Sequence, residues 1–135
     1  MSEESQKLEK KKIPQAFQGI RVAIVTNTDS IERVLTKAFT NRGAEVEVFV
    51  GGSEMLTRAQ EVHFHALVVS DDIVYTGIEW IVRECILQKR VDIDSYWTVG
   101  KKAVPRMDGF VSKPFRPVEL LKPIHENLKA KGIIE

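Results

Sequence analysis

Short apolar runs alternate along this chain with longer segments whose apolar residues recur every three or four positions. The runs are rich in β-branched residues, as is typical of strands that are covered on both faces. Turn and capping residues separate each run from the helical segment that follows. Strands that alternate with helices join through right-handed crossovers into a parallel sheet. The order therefore predicts an α/β domain with a doubly wound, five-stranded parallel sheet.

The boundaries of these elements can be read from the same pattern. The predicted strands cover 20–25, 46–50, 66–69, 96–99 and 109–112. The predicted helices begin at 29–30, 53, 77 and 117. Asp29 or Ser30 is expected to cap the first helix through its side-chain oxygen. Residues 101–107 contain Pro105 and leave room for little more than a turn, so a fourth helix between the last two strands is expected to be shortened or missing.

Composition limits the classes of protein to which the chain can belong. Its 135 residues are the length of one domain, predicted over residues 18–135 after a charged tail over residues 1–17. The 20 basic and 19 acidic residues leave a net charge of +1, without the basic excess of nucleic-acid-binding proteins. No apolar run approaches the about 20 residues that cross a bilayer, and no secretory signal is recognisable. We expect a cytoplasmic protein with no nucleic-acid or membrane partner.

Polar residues gather where the predicted strands end. In open parallel sheets, ligands and chemistry concentrate at the carboxyl ends of the strands. The residues at these ends are Thr26, Asn27, Asp71, Thr98 and Lys113. This edge of the sheet is therefore the predicted functional site.

From about residue 20 to residue 128, the chain resembles the receiver domains of two-component signalling, which have a flavodoxin-like topology. Asp71 follows the apolar third strand, as the phosphoacceptor of that family does. Lys113 and Pro114 follow the fifth strand and match the family's lysine–proline pair. Phe110 lies three residues before the lysine, at the family's aromatic switch position.

The resemblance implies a phosphorylation switch with defined parts. In the family, a metal ion held by acidic residues neutralises the phosphoryl group, and the lysine contacts a phosphoryl oxygen. A hydroxyl at the end of the fourth strand then moves toward the phosphoryl group, and the aromatic ring turns inward. Thr98 is predicted to supply this hydroxyl, and Ser95 competes for the position because the register of the strand is open.

The chain departs from the family at the metal site. Thr26 and Asn27 stand where the family has an acidic pair, so a Mg²⁺ site would be weakened and would depend on Asp71. Asp29 and Asp72 are the acids that could compensate. The loop after the third strand is also shorter than in the family. With the fourth helix reduced, the surface that the family often uses for pairing should be altered.

These departures predict a divergent, stand-alone pseudo-receiver. It would be a non-enzymatic signalling domain that acts through protein–protein interaction, with no certain cofactor and without conventional Mg²⁺-dependent aspartyl phosphorylation. The few residues after 128 are too short for an effector domain, so output is expected through a signalling partner, either a histidine kinase or a downstream effector; a homodimer remains open. A functional phosphoaccepting response regulator that uses Asp71 is the alternative.

Two further features allow other interpretations. The sequence Thr26-Asn27-Thr28 after the first strand is also compatible with a phosphate-binding loop of a flavin- or nucleotide-binding domain. The chain is short for the cofactor loops that a flavodoxin needs. His63 and His65 alternate before the third strand, but two histidines are too few ligands for a zinc site. We interpret them as surface or half-buried residues.

Overall fold

A computed structural model describes residues 15–73 and 77–134 of the chain. Their strands, numbered β1 to β5 in chain order, are Arg21–Val25, Glu45–Phe49, Ala66–Ser70, Ser95–Gly100 and Gly109–Ser112. Their α-helices, numbered α1 to α4, are Asp29–Thr40, Gly52–Ala59, Gly77–Ile81 and Pro117–Ala130. A π-helix, Val82–Leu87, continues directly from α3. All strands are parallel, in the order β2-β1-β3-β4-β5, so the predicted doubly wound fold is confirmed.

Each face of the sheet is covered by its own apolar layer. On one face, α1 and α4 pack against alternate residues of the central strands, with Leu35, Phe39 and Ile124 fully buried. On the other face, α2 and α3 cover the remaining residues, with Met55 and Ile81 fully buried. Because both faces are covered, every residue of β3 is buried, as the unbroken apolar run in the sequence predicts. No helix in the described part of the chain is long and apolar enough to span a membrane.

The domain begins before the predicted boundary at residue 18. Phe17 is only 1% exposed and belongs to the core under α1 and α4. Its ring meets the ring of Phe39 edge-on, with 5.2 Å between centroids, and that of His125 at 5.7 Å. The assignment of Phe17 to a tail is therefore wrong, because this side chain fills a place in the core. Residues 1–14 of the predicted tail lie outside the described residues.

The start of α1 also differs from the prediction. Thr28 is the N-cap residue, and Asp29 is the first residue of the helix. Neither Asp29 nor Ser30 caps the helix, and the Thr28 hydroxyl is directed to Asp72 instead of the helix backbone. The Thr28 side chain therefore connects the loop between β1 and α1 to Asp72, which is distant in the sequence, and does not cap α1.

The reduced connection between β4 and β5 is confirmed. Residues 101–108 form turns and bends and contain no helix. Asp108 fastens the end of this segment to β4, since its carboxylate accepts the Tyr96 N–H at 2.7 Å and its N–H donates to the Tyr96 carbonyl at 2.8 Å. The chain thus passes from β4 to β5 through a short loop held to the strand itself.

Candidate functional site

Asp71 and Lys113, two predicted site residues that are 42 positions apart in the sequence, are in contact. Asp71 directly follows β3, and its N–H donates to the Val99 carbonyl of β4 at 3.0 Å. The Lys113 Nζ lies 2.9 Å from Asp71 Oδ1 and 2.9 Å from Ser70 Oγ. The Lys101 N–H donates to the other carboxylate oxygen of Asp71 at 3.0 Å. Asp71 and Lys113 therefore lie together at the carboxyl ends of β3 and β5, where the sequence predicts the functional site.

Hydrogen bonding keeps Asp71 ionised. Partial burial raises the pKa of this carboxyl, but the hydrogen bonds from Lys113 and from the Lys101 N–H, together with the charge of Lys113, lower the pKa by more. The net pKa lies below the ordinary value of 3.8. At neutral pH Asp71 is therefore a carboxylate in direct contact with Lys113.

The fifth strand and the loop after it aim Lys113 at Asp71. The Lys113 N–H donates to the Gly100 carbonyl at 2.9 Å, which continues the pairing of β4 with β5. The Lys113–Pro114 peptide bond is cis. Phe110 is half-buried in β5, where its Cα pairs with that of Thr98.

Gly100, and not Thr98, lies beside Asp71 on β4. The register pairs Val69 with Thr98 and Ser70 with Val99, so Gly100 is level with Asp71. A Cβ atom at Gly100 would lie only 2.7 Å from the Cβ of Asp71, and closer still to its carboxyl carbon. The absence of a side chain at Gly100 is what allows the Asp71 carboxylate to lie against β4 and accept the Lys101 N–H.

The predicted hydroxyl is consequently not at the carboxylate. Thr98 lies on the same face of β4 but two residues earlier, about 6.6 Å back along the strand. It is 1% exposed, and its hydroxyl has no hydrogen-bond partner among the described residues. Ser95 is at the opposite end of β4, where its Oγ donates to Asn127 Oδ1 at 2.6 Å. Neither residue supplies a hydroxyl to Asp71, because Gly100, two residues after Thr98, is the β4 residue level with Asp71.

The acid next along the chain, Asp72, is bound by the loop between β1 and α1. Its carboxylate accepts hydrogen bonds from the Thr26 hydroxyl at 3.3 Å, from the Asn27 N–H at 3.3 Å and from the Thr28 hydroxyl. The Asn27 Nδ2 atom donates to the Asp72 carbonyl at 3.4 Å. Thr26 and Asn27 thus hold the carboxylate of Asp72, which follows β3.

The pKa of Asp72 reflects this environment. Burial raises it, but the hydrogen bonds from Thr28 and from the Asn27 N–H, helped by Ser70 and the charge of Lys113, bring the pKa below the ordinary value. Asp71 and Asp72 are therefore both ionised at neutral pH, and Lys113 contacts the Asp71 carboxylate directly. Asp29, the other acid proposed to compensate, is exposed in the first turn of α1.

The residues present fit a divalent cation poorly. A Mg²⁺ ion would need oxygen ligands with free lone pairs in an octahedral arrangement. The carboxylate of Asp72 already accepts three donors from the first loop, and that of Asp71 accepts Lys113 and the Lys101 N–H. An ion would have to displace these donors to reach either carboxylate. Asp71 and Asp72 are nonetheless the residues that could hold one.

Solved structures of response-regulator receiver domains share this fold. A chemotaxis response regulator of Vibrio cholerae, CheY4, superposes with a TM-score of 0.72 and 22% identity, over 81% of this chain and 98% of that one. The receiver domain of the sensor histidine kinase PA1611 of Pseudomonas aeruginosa gives 0.72 and 15%, over 82% and 98%. The receiver domain of the TMAO respiratory regulator TorR gives 0.70 and 18%, over 83% and 98%.

No protein-family model matches the sequence, and a search of curated proteins gives no match. The three superpositions nevertheless show that the chain has the receiver-domain fold, as the resemblance implies. It has this fold with a sequence that has diverged far from the solved examples, all three of which are at most 22% identical to it.

Replacing Asp72 with asparagine should test the contacts that this acid makes. An amide has one acceptor oxygen for three donors, so we expect a loss of about 1–3 kcal/mol in the free energy of unfolding at pH 7. Because the folded pKa is below 3.8, this stability is present above that pH and is lost as the pH falls through the folded pKa. Urea denaturation at pH 7 and near pH 3 measures both effects.

The exposed Asp92 provides the matched control, since Asp92→Asn removes a carboxylate that lies outside the site. We expect this control to change the unfolding free energy by less than about 0.5 kcal/mol. Equal effects of the two substitutions, or an Asp72→Asn deficit that persists at low pH, would show that the first loop does not depend on the Asp72 carboxylate.

Proposed function

We propose that the chain is a divergent, cytoplasmic receiver-like signalling domain that acts by binding other proteins, without enzymatic activity and without Mg²⁺-dependent phosphorylation of Asp71. Its partner would be a signalling protein, either a histidine kinase or a downstream effector, or a second copy of the chain. The proposal rests on the receiver-domain fold, on the contacts that occupy Asp72 and on Gly100, which places no hydroxyl beside Asp71.

One observation carries this proposal. The carboxylate of Asp72, the residue next to Asp71, lies against the loop between β1 and α1. It accepts hydrogen bonds there from Thr26, Asn27 and Thr28. In phosphoryl transfer to a carboxylate, a metal ion must offset the crowded negative charge. Because the Asp72 carboxylate is already occupied, Asp71 alone would bind a metal ion weakly. Gly100, which offers no hydroxyl, also supports a site that does not couple phosphorylation to a switch.

A phosphoaccepting regulator remains the second candidate, because Asp71 retains access and a neighbouring cation. Its side chain is 33% exposed and contacts Lys113 at 2.9 Å. It also lines an open cavity of about 420 Å³ together with Glu79, Lys101 and Lys102. In this alternative, an incoming phosphoryl group would take over the contacts that Lys113 and the Lys101 N–H now make to the carboxylate.

Incubation with acetyl phosphate and Mg²⁺ separates the two candidates. We expect intact-mass spectrometry to show no phosphoryl adduct on the wild-type chain under conditions that fully modify a phosphorylatable receiver. A Thr26→Asp, Asn27→Asp double variant, which restores two acids at the end of β1, should gain Mg²⁺ binding by calorimetry. An adduct on the wild-type chain that disappears in Asp71→Asn would establish the phosphoaccepting regulator instead.

A further inference from the structure

Three potential metal ligands meet at the edge of the sheet opposite to Asp71. His63 and His65 precede β3, and Asp94 directly precedes β4. Because β3 and β4 are parallel neighbours, the segments that enter them lie side by side. The His63 Nε2 and Asp94 Oδ2 atoms are 2.7 Å apart, and the two imidazole rings are 4.9 Å apart between centroids. One ligand atom from each residue lies within 4.8 Å of the other two.

We propose that His63, His65 and Asp94 form a zinc site. Two imidazoles and one carboxylate are a common set of three protein ligands for Zn²⁺, with a fourth position left for water. The two nitrogen ligands favour a transition metal and disfavour Mg²⁺ or Ca²⁺, which prefer oxygen. The site uses none of the residues on which the proposed function depends.

The present contacts show how an ion would enter. The short contact between His63 and Asp94 holds one proton between a nitrogen and an oxygen. Zn²⁺ would replace this proton, which moves to the other ring nitrogen of His63 or to solvent, and would bind both atoms. The His63 side chain is 46% exposed and that of Asp94 is 20% exposed, so the position is open to solvent.

His65 is the ligand that has to rearrange. Its Nδ1 atom accepts the Arg21 N–H at 3.0 Å, so its own proton is on Nε2. To bind the ion without losing that proton, the ring must turn Nδ1 away from Arg21 and leave the backbone N–H to water. His65 and Arg21 are only half-buried, so water can reach this N–H group. Because His65 has to rearrange, the site is not preformed and is expected to bind Zn²⁺ less tightly than a preformed site would.

The neighbouring cations are already paired and do not cancel the ligand charge. The Arg21 guanidinium contacts Glu45 at 2.9 Å and Glu47 at 3.1 Å. The Lys131 Nζ contacts the Asp108 carboxylate at 2.9 Å and the backbone carbonyl of Asp94 at 2.5 Å. Neither of these two cations therefore pairs with the Asp94 carboxylate, which contacts His63.

Titration of the full, tag-free chain with ZnCl₂ by isothermal calorimetry tests the site. We expect one Zn²⁺ per chain, and a Co²⁺ adduct with the visible absorption of a four-coordinate ion. His63→Ala, His65→Ala and Asp94→Asn should each lower the affinity by at least about tenfold. Asp92→Asn and His125→Ala, which change an acid and a histidine elsewhere, should bind as the wild type does.

Circular dichroism shows whether each variant is folded, and His63→Gln replaces His63→Ala if the alanine variant is not. The absence of stoichiometric Zn²⁺ binding, or binding that survives in both His63 and Asp94 variants, would overturn the proposal. Full affinity in His65→Ala would also overturn it, because the site would then have only two protein ligands. None of these outcomes bears on the phosphorylation of Asp71, which is tested separately.

Discussion

Gly109→Ala should lower the free energy of unfolding by about 3 kcal/mol, because this glycine makes room for a buried indole. Gly109 pairs with Trp97 across β4 and β5. A Cβ atom at Gly109 would lie 2.5 Å from Cη2 of Trp97 and closer still to Cζ3. The indole cannot easily retreat, since Trp97 is 5% exposed and its Nε1 atom donates to Ser95 Oγ at 2.6 Å. Urea denaturation followed by circular dichroism measures the loss.

Two controls attribute the loss to the indole. Gly51→Ala adds the same methyl group at the N-cap of α2, where the backbone is extended and nothing lies within 4 Å, so we expect a loss of at most about 1 kcal/mol. Trp97→Leu removes the clashing atoms, so Gly109→Ala should cost much less in that background than in the wild type, a coupling that a double-mutant cycle measures. If Gly109→Ala is as stable as Gly51→Ala, the indole does not lie over Gly109.

The sequence predicts the fold because its strongest signal is local. A strand buried on both faces must be apolar throughout, and β3 shows this directly. Asp71 and Lys113 could also be predicted to meet, since parallel strands bring their carboxyl ends to one edge. Phe17 could not be placed in the core, because most of the residues before it are polar or charged and its partners, Phe39 and His125, are distant in the sequence.

The details of the site depend on register, which local patterns do not determine. Every residue of β4 from Ser95 to Gly100 is buried, so no alternation of polar and apolar residues marks where the strand meets Asp71. Residue type alone therefore favours Thr98 over Gly100. A glycine at a strand end is a weak sign of close approach by another group. Likewise, Asp94 lies beside His63 and His65 only because β3 pairs with β4. The spacing of the two histidines in the sequence does not indicate this third ligand.

Lys113→Met should lower the free energy of unfolding by about 2–3 kcal/mol at pH 7, since it removes a charged hydrogen-bond donor from Asp71 and Ser70 and leaves two adjacent carboxylates without their neighbouring cation. Methionine keeps an unbranched side chain of similar length, so the packing along the stem is largely retained. Asp71 and Asp72 would then repel each other, and the pKa of each would rise toward or above its ordinary value. Urea denaturation between pH 7 and pH 3 measures the deficit and its dependence on pH.

The sign of the pH dependence makes this prediction specific. In the wild type, the folded pKa of Asp71 and of Asp72 lies below 3.8, so their contribution to stability is present above that value and is lost as the pH falls through the folded pKa. In Lys113→Met that contribution is missing at pH 7, so the two proteins should converge as the pH falls. Lys102→Met, at an exposed neighbouring position, should show no such deficit. Adding Asp71→Asn to Lys113→Met should restore much of the lost stability, because it removes one of the two carboxylates that repel each other. A deficit that is constant with pH, or that Asp71→Asn deepens, would mean that Lys113 stabilises the domain through its stem and not through its charge.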